Sequence, residues 1–434
     1  MHITVIGMGY VGMVTAVGLA MLGHTVHCVD IDAQKIQSLT DGHCPIYEKN
    51  IEERLRQLSS NTLLTFGTHY RCTDRIFFLT VGTPPLEDGD ADLSQLFFSI
   101  AKIIEFAPDH SLIVVKSTVP VGTNKKIVSY LKENNRYDEV VSNPEFLREG
   151  HALDDFLNPD RIVIGVHNSY GKDMLTKIYQ PFIDKGCYTL ITDPNTAELI
   201  KHASNAFLAS KIAFINELSD FCEKAQADID DLSLGVGLDK RIGPAFLKVG
   251  PGFGGSCFPK DIRSLNRSFN KYGIQSKILE SVMAANEYRF ENVVNKILKI
   301  LGGVQNKILC VYGLTFKAHT DDTRGSPALR IIELLVAQNA MINCYDPKAN
   351  YDLLQNDYNQ SINFYNNPEE SMCDAHALII ATEWEEFKNI NFDRIKISGI
   401  MKSNIVIDLR NILDINLMQR KGFQYYCLGK AIQY

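Results

Sequence analysis

Cys257 lies in the glycine-rich segment GPGFGGSCFPKD, and its surroundings indicate a reactive thiol. Because proline is common at the first position of a helix, Pro259 predicts that Cys257 lies near the positive end of a helix, beside Lys260. Both features favour the thiolate, which is the nucleophilic form of cysteine. The alternative is a buried structural cysteine, since free cysteines are among the most buried residues. The glycine-rich surroundings favour the nucleophile.

Polar residues four positions apart recur in the chain, and on a helix each such pair shares one face. Asp261 can orient or deprotonate a water beside Cys257. A cation and an amide, such as Lys201 and Asn205, are suited to stabilising oxyanions. Each pair taken alone is more typical of a solvated helix face than of a site, so the informative fact is that the pairs occur together with a cysteine and a dinucleotide fold. The pairs are Cys257 with Asp261, Lys201 with Asn205, and Glu145 with Glu149.

A dinucleotide fingerprint opens the chain. Gly7, Gly9 and Gly12 form GxGxxG directly after a predicted strand and open the predicted helix GYVGMVTAVGLAML. The three glycines allow a tight turn, close approach of a pyrophosphate, and packing of the helix on the strand. Asp30 ends the next strand, where a carboxylate accepts hydrogen bonds from ribose hydroxyls and repels a 2′-phosphate. The pattern therefore predicts NAD rather than NADP.

Two threonines follow further predicted strands, Thr83 in VGTPP and Thr118 in STVP. At the carboxyl end of a parallel sheet, their hydroxyls can donate to the cofactor or the substrate. They can equally be turn hydroxyls that bond to nearby backbone. We assign Thr83 to the cofactor site, and Thr118 to both the cofactor site and the catalytic set.

A cysteine combined with NAD indicates chemistry that a simple alcohol dehydrogenase does not need. Removal of a hydride from a primary alcohol gives an aldehyde, to which the thiolate adds as a thiohemiacetal. A second hydride removal gives a thioester, which water hydrolyses to a carboxylate. The expected reaction is a four-electron oxidation.

The elements that must position these groups alternate between apolar strand-like runs and helices, which is typical of a parallel α/β sheet. A long helical segment begins near Asn195 and contains a glycine-rich loop, and alternation resumes near residue 302, where ILCVYG echoes ITVIGMG. We predict two Rossmann-like doubly wound domains joined by a central helical domain. The predicted bounds are 1–194, 195–301 and 302–434. Residues 350–367 are polar and weakly periodic, which predicts a helix followed by a loop.

Composition excludes several classes of protein. The 434 residues are 45% hydrophobic and 22% charged, as in folded globular proteins, and the net charge of −7 disfavours nucleic-acid binding. The apolar N-terminus lacks a basic leader and contains the three glycines, so a signal peptide is not expected. No apolar window is long enough for a membrane helix. The ten scattered cysteines predict reduced thiols in a cytoplasmic protein and no metal site.

Taken together, the motifs resemble the UDP-glucose/GDP-mannose dehydrogenase family over nearly the whole chain, and GGSCFPKD is the most specific of them. Such a resemblance implies oxidation of UDP-glucose to UDP-glucuronate with NAD, for polysaccharide precursor synthesis, by a homodimer formed through the central helix. The loop RIGPAFLKVGPGFGG and the segment TDDTRGSP are more similar to the UDP-glucose branch. The other motifs are SNPEFLREG, KHASNAF, DKRIGPAFLKVGPGFGGSC, GLTFKAHTDDTRGSP and TEW.

The same resemblance implies roles for individual residues. Cys257 is the nucleophile, Lys201, Asn205 and Asp261 assist it, and Glu145 manages protons and water. Arg241 reaches into a neighbouring subunit. The implied cofactor contacts are Val11, Asp30, Lys35, Thr83, Thr118, Glu149, Lys260 and Arg324. The implied substrate contacts are Glu145, Phe146, Leu147, Arg148, Glu149, Lys201, Asn205, Arg241, Phe246, Leu247, Lys248, Val249, Gly250, Gly254 and Lys317.

Several alternatives stay open at this point. GDP-mannose or another UDP-sugar can replace UDP-glucose as substrate. A two-electron hydroxyacid dehydrogenase shares the glycine fingerprint but has no need of Cys257, and an NAD-binding scaffold has no need of the polar set around it. In the third domain, Lys317 or Arg410 can neutralise the substrate phosphates. Arg410 can instead pair with Asp408 or Asp414.

Overall fold

The first of two sheets contains eight strands, and the computed structural model describes residues 1–357 and 362–431. The strands are β1 (His2–Ile6), β2 (Thr25–Val29), β3 (Leu64–Gly67), β4 (Ile76–Leu79), β5 (Leu112–Val115), β6 (Glu139–Ser142), β7 (Arg161–Gly165) and β8 (Tyr188–Thr192). Their spatial order is β3-β2-β1-β4-β5-β6-β7-β8. Strands β1 to β6 are parallel in the doubly wound order of a Rossmann fold. The expected all-parallel sheet needs one correction, because β7 pairs antiparallel with β6.

The second sheet repeats this order with six parallel strands. They are β9 (Ile308–Tyr312), β10 (Met341–Tyr345), β11 (Ile362–Phe364), β12 (Ala377–Ile380), β13 (Ile405–Asp408) and β14 (Gln424–Cys427). The spatial order is β11-β10-β9-β12-β13-β14. The predicted echo of the first fold is therefore confirmed.

Eighteen helices occur in the described ranges. Those that follow strands of the first sheet are α1 (Tyr10–Met21), α2 (Ala33–Thr40), α3 (Ile51–Ser60), α4 (Ser94–Phe106), α5 (Thr123–Glu133), α6 (Ala152–Leu157), α7 (Ser169–Ile178) and α8 (Gln180–Ile183). The central ones are α9 (Pro194–Ala225), α10 (Ile229–Gly237), α11 (Phe258–Lys271) and α12 (Lys277–Leu301). The last six are α13 (Pro327–Val336), α14 (Tyr351–Asp357), α15 (Pro368–Ser371), α16 (Glu385–Lys388), α17 (Phe392–Ser398) and α18 (Ile415–Arg420). The expected central helical segment is present.

The segment 350–367 matches its prediction only in part. It contains α14, as expected, but also the strand β11, where a loop was predicted. Residues 358–361 of that prediction lie outside the described residues.

The chain divides into two compact units. The first unit comprises Met1–Ser204 and Arg263–Gln275, and the second comprises Asn205–Ile262 and Ser276–Tyr434. In each unit the central strands are buried, so they appear in the sequence as continuous apolar runs such as IFFL in β4 and LIVV in β5. The three-domain division at residues 194 and 301 stays a prediction.

Among the described residues, no helix is both long and apolar enough to cross a membrane.

Candidate active site

The glycine turn after β1 leaves room for a phosphate. Gly7 has φ +95°, and a Cβ on Gly12 would lie 1.8 Å from the carbonyl oxygen of Gly7. By contrast, a Cβ on Gly9 would meet no atom within 4 Å, and α1 begins at the next residue. Two glycines are therefore required by the turn itself, while Gly9 borders open space at a helix N-terminus. This cradle fits the pyrophosphate of a dinucleotide.

Asp30 is held in place at the end of β2. Its Oδ2 accepts hydrogen bonds from the Met8 backbone N–H at 2.7 Å and from Lys35 Nζ at 2.9 Å, and its Oδ1 accepts one from the Asp32 N–H at 3.0 Å. Burial opposes ionisation, but these donors hold the pKa of Asp30 below its ordinary value. Asp30 is thus a fixed negative charge beside the glycine turn.

The second sheet copies this turn but uses its carboxylate differently. Gly313 has φ +94° and, like Gly7, donates its N–H to the last residue of the neighbouring strand. Asp346 accepts six hydrogen bonds, from the N–H groups of Leu314, Thr315, Lys348 and Ala349, from Thr315 Oγ1 and from Trp384 Nε1. A carboxylate offers about four lone-pair sites, so Asp346 is saturated, whereas Asp30 has three donors. The first sheet carries the dinucleotide signal.

The two threonines lie in neighbouring loops of the first unit. Thr83 follows β4 and Thr118 follows β5, and Thr83 Oγ1 donates to the Thr118 carbonyl at 2.8 Å. Because the Thr83 hydroxyl donates its proton to a backbone carbonyl, it can still accept a hydrogen bond but has no second proton to donate. Val11, in the first turn of α1, is partly buried.

Glu145 and Lys201 form a buried ion pair, with 2.7 Å between Nζ and Oε1 and side-chain exposures of 6% and 5%. The other oxygen, Oε2, accepts the Leu147 N–H at 2.5 Å. The helical spacing predicted for Glu145 and Glu149 is wrong, because residues 143–148 adopt neither helix nor strand. Pro144 disfavours helical backbone at the residue before it. Both members of the ion pair lie in the first unit.

The rest of the SNPEFLREG loop is anchored by arginines. The Arg161 guanidinium lies over the Phe146 ring, 3.7 Å from its centroid. Arg148 binds both carboxylate oxygens of Asp155, with a shortest distance of 2.6 Å. Glu149 is partly exposed in the turn that follows. The proposed substrate residues Phe146 and Arg148 are thus held by protein contacts on a loop.

Cys257 caps the N-terminus of α11. The helix begins at Phe258, and the carbonyl of Cys257 accepts the first helical hydrogen bond, from the Asp261 N–H at 2.9 Å. Its Sγ lies 3.6 Å from Ser256 Oγ, and the residue is partly exposed. The expected location at a helix N-terminus, where partial positive charge favours a thiolate, is confirmed.

Asp261 links two of the predicted polar residues in the second unit. Its Oδ2 accepts from Asn205 Nδ2 at 2.6 Å, and its Oδ1 accepts from Lys260 Nζ at 2.7 Å. Asp261 is 1% exposed, so it is not on a solvated helix face. Because the Lys260 charge is matched by this carboxylate, its expected help to the Cys257 thiolate is reduced.

Two helices clamp the loop that precedes Cys257. Asn216 of α9 accepts the Gly250 N–H at 2.9 Å, and Arg289 of α12 donates to the Gly250 carbonyl at 3.0 Å. Asn286 bonds both the N–H and the carbonyl of Phe253, at 2.8 and 3.0 Å. Sequence reasoning missed these three side chains. The available signal was polar residues on the apolar face of a helix, since all three are buried.

Close packing also constrains this loop at Gly254. A Cβ there would lie 2.0 Å from the carbonyl oxygen of Gly325, in the TDDTRGSP segment. Leu247 and Val249 are each 3% exposed, so their side chains are packed inside the protein. Lys248 is exposed, and Phe246 has φ +64°.

The remaining predicted cations are paired within the second unit. Arg241 is 88% exposed and contacts Asp239 at 2.6 Å, and Arg324 contacts Asp322 at 2.7 Å. Lys317 Nζ lies 5.4 Å from the Phe316 ring centroid. The Arg410 guanidinium pairs with Glu383 at 3.1 Å and bonds two backbone carbonyls. Arg410 thus pairs with neither predicted carboxylate side chain, although Asp408 accepts its backbone N–H.

Comparisons with known proteins cover the whole chain. Three domain descriptions of the UDP-glucose/GDP-mannose dehydrogenase family match: the NAD binding domain at residues 1–183, the central domain at 195–288 and the UDP binding domain at 310–415. A UDP-glucose 6-dehydrogenase of Rickettsia prowazekii is 45% identical over 100% of both chains.

Two solved structures are similar over nearly their full length. A UDP-glucose dehydrogenase of Pyrobaculum islandicum has a TM-score of 0.90 and 35% identity, covering 99% of this chain and 98% of that one. A UDP-D-ManNAc dehydrogenase of Pyrococcus horikoshii has a TM-score of 0.86 and 26% identity, covering 100% of both.

Proposed function

We propose, from the premise that this chain belongs to the UDP-glucose/GDP-mannose dehydrogenase family, that it oxidises UDP-glucose to UDP-glucuronate with two molecules of NAD. The observation that carries the four-electron outcome is the partly exposed Cys257 at the N-terminus of α11, with the buried Asp261 one turn further on. A two-electron dehydrogenase or a scaffold has no use for this arrangement.

In the proposed reaction, NAD supplies the hydride acceptor for both oxidations. The Cys257 thiolate adds to C6 of the aldehyde, forming a carbon–sulfur bond and an oxyanion that takes up a proton. Loss of hydride and a proton converts this thiohemiacetal to a thioester. Water then attacks the acyl carbon, the carbon–sulfur bond breaks with the Cys257 thiolate as leaving group, and the carboxylate product is released. Each turnover therefore reduces two NAD per substrate.

The polar residues have separate roles in this scheme. Lys201 and Asn205, one turn apart on α9, supply a cation and an amide donor for the alkoxide and tetrahedral oxyanions. Glu145 and Asp261 exchange protons with the substrate and the attacking water. Thr118 contributes its hydroxyl to the same chemistry.

The residues proposed to bind the cofactor and the sugar nucleotide are those predicted from the sequence. The cofactor contacts Gly7, Gly9, Val11, Gly12, Asp30, Lys35, Thr83, Thr118, Glu149, Lys260 and Arg324. The sugar nucleotide contacts residues 145–149, Lys201, Asn205, residues 246–250, Gly254, Lys317 and the Arg241 of a second copy. We place the enzyme in the cytoplasm, because all ten cysteines are free thiols, and expect its product to feed polysaccharide precursors.

Supplying each sugar nucleotide with NAD, and following the absorbance of the reduced cofactor, tests the proposal. UDP-glucose should be the best substrate, with two NADH formed per molecule. Preference for GDP-mannose or UDP-N-acetylmannosamine would reassign the substrate. One NADH per molecule would refute the thioester route, and absence of turnover with every sugar nucleotide would refute the activity.

Asp30→Asn should weaken the preference for NAD over NADP. In the wild type, Lys35 Nζ lies 2.9 Å from the Asp30 carboxylate, so removing the negative charge also releases a cation toward a 2′-phosphate. We expect the ratio of kcat/KM for NAD to that for NADP to fall by about tenfold, or about 1.4 kcal/mol. Asp32→Asn, at the exposed cap of α2, is the matched control. Equal use of both cofactors by the wild type would contradict the role of Asp30.

We further propose a homodimer formed through α9. Phe207, Phe214 and Phe221 are 69%, 56% and 66% exposed and recur every seven residues, which places them on one stripe of the helix. Phe214→Glu should convert the dimer to a monomer in sedimentation, while Phe98→Glu, at an exposed position of α4, should not.

Arg241→Ala should chiefly raise the KM for UDP-glucose, because the residue is expected to act in binding. An active wild-type monomer would contradict the shared site.

A further inference from the structure

Lys116 is a buried lysine that none of the sequence motifs singled out. It follows β5 directly, two residues before Thr118, and is 5% exposed. Its backbone N–H donates to the Leu79 carbonyl at 2.9 Å. The backbone of Lys116 is therefore fixed at the carboxyl end of the first sheet, from which the loops that carry Thr118 and Glu145 also leave.

Its ammonium is poorly compensated. Lys116 Nζ donates to Asn143 Oδ1 at 3.2 Å, and that oxygen also accepts the Tyr179 hydroxyl at 2.7 Å. Asn143 Nδ2 is used as well, since it donates to the Val163 carbonyl at 2.8 Å. Within the described residues, the hydrogen-bond partner of this three-donor group is thus a shared, neutral amide.

Two charged groups face Lys116 from other elements: Glu145 from the loop after β6, and Lys201 from α9. Tyr179, between α7 and α8, stays neutral because burial raises its pKa. Burial lowers the pKa of Lys116 to about 8, with the charge of Glu145 raising it and that of Lys201 lowering it. The Glu145 carboxylate therefore lies near two buried amines, those of Lys116 and Lys201. Its single negative charge balances one positive charge, which favours the neutral form of the other amine.

Resting on the proposed function, we propose that Lys116 is a positioning residue that acts through the Glu145–Lys201 pair, and that its neutral form is the active one. When Lys116 is charged, two cations compete for the buried Glu145 carboxylate, which is then less available to the reacting groups. When Lys116 loses its proton, Lys201 alone binds Glu145, and the carboxylate is available to the reaction. Activity should therefore rise as pH increases through the titration of Lys116.

The test compares pH profiles of kcat/KM for UDP-glucose with saturating NAD. Between pH 6.5 and 9 the wild type should rise about thirtyfold, the change in the neutral fraction of a group that titrates near 8. Lys116→Met should be flat at the high level to within about threefold, and Lys116→Arg flat at the low level. The exposed Lys132→Met should keep the wild-type slope. A Lys116→Met profile with that same slope would overturn the proposal.

Two further measurements test the role of Lys116 if a Lys116 variant folds poorly or if UDP-glucose is not the substrate. Asn143→Asp places a carboxylate beside the ammonium and should move the rise in activity to higher pH; an unmoved profile overturns the proposal.

Urea unfolding needs no substrate. Because the folded-state pKa of Lys116 lies below its unfolded value, the stability of the wild type relative to Lys116→Met should increase from about pH 8 toward 10.5. A constant difference overturns the proposal, whereas inactivity of a stable wild type refutes only the proposed function.

Discussion

Cys257→Ser should lower the rate of UDP-glucose oxidation by at least about a thousandfold and leave an acyl-enzyme that can be isolated. A serine hydroxyl is similar in size to a thiol but far less acidic. It therefore adds to the aldehyde slowly, and the ester it forms is a poorer acyl donor than a thioester. After incubation with UDP-glucose and NAD, mass spectrometry of the intact variant should show the added mass of a UDP-glucuronyl group.

Two variants separate the chemistry of Cys257 from its place in the fold. Cys257→Ala should form neither UDP-glucuronate nor an adduct, since no nucleophile remains for the second oxidation. Cys373→Ser makes the same change at an exposed cysteine and should leave turnover unchanged. If Cys257→Ser turns over near the wild-type rate without an adduct, the thioester route is wrong, and Cys257 is a packing residue.

The sequence predicted those parts of the fold whose signal is local. Central strands such as β4 and β5 are buried on both faces, so each appears as an apolar run that ends at a loop containing threonine and proline. The four strands at the sheet edges, β3, β8, β11 and β14, have a weaker signal, because their residues are mostly partly exposed. Short half-exposed strands carry little periodicity. The reversal of β7 depends on tertiary pairing, which its own residues do not encode.

Site residues divide in the same way. The location of Cys257 at a helix N-terminus and the glycines of the turn were predictable, because Pro259 and close packing constrain residue type at fixed offsets. Glu145 shows the limit, since its spacing from Glu149 matches a helix, but Pro144 and the ion pair with Lys201 hold it in a loop. Lys116 and Asn143 are distant in sequence and meet only because β5 and β6 are neighbours. Chain spacing cannot reveal such a contact.

The echo between the two sheets shows why a shared turn does not imply a shared ligand. Gly7 and Gly313 have nearly the same φ, and an aspartate follows the next strand in both. All the acceptor sites of the Asp346 carboxylate are used by protein donors, whereas the Asp30 carboxylate retains an acceptor site. The number of donors therefore separates the two carboxylates, because Asp30 keeps acceptor capacity for the proposed ribose contact and Asp346 does not, although the two sequence motifs look alike.

Removing Lys201 should damage both stability and activity. In Lys201→Met, Glu145 loses its ion-pair partner while it stays buried, and such a change typically costs about 3–5 kcal/mol of unfolding free energy. Loss of a cation that stabilises an oxyanion should lower kcat by a further factor of about a hundred to a thousand. Lys102→Met, which breaks an exposed ion pair with Glu105, should change neither quantity measurably.

The protonation state of Lys116 should determine whether Lys201→Met loses unfolding free energy near the lower or the upper end of about 3–5 kcal/mol. Without Lys201, burial still lowers the pKa of Lys116, but the like charge of Lys201 is gone while that of Glu145 remains, so at neutral pH Lys116 keeps its proton and partly replaces the missing partner. The cost should then lie near the lower end at neutral pH and grow once Lys116 deprotonates. In Lys201→Met with Glu145→Gln, no buried carboxylate needs a partner, so stability should recover while activity stays low. A double variant no more stable than Lys201→Met would show that Lys201 stabilises the fold by packing rather than by charge.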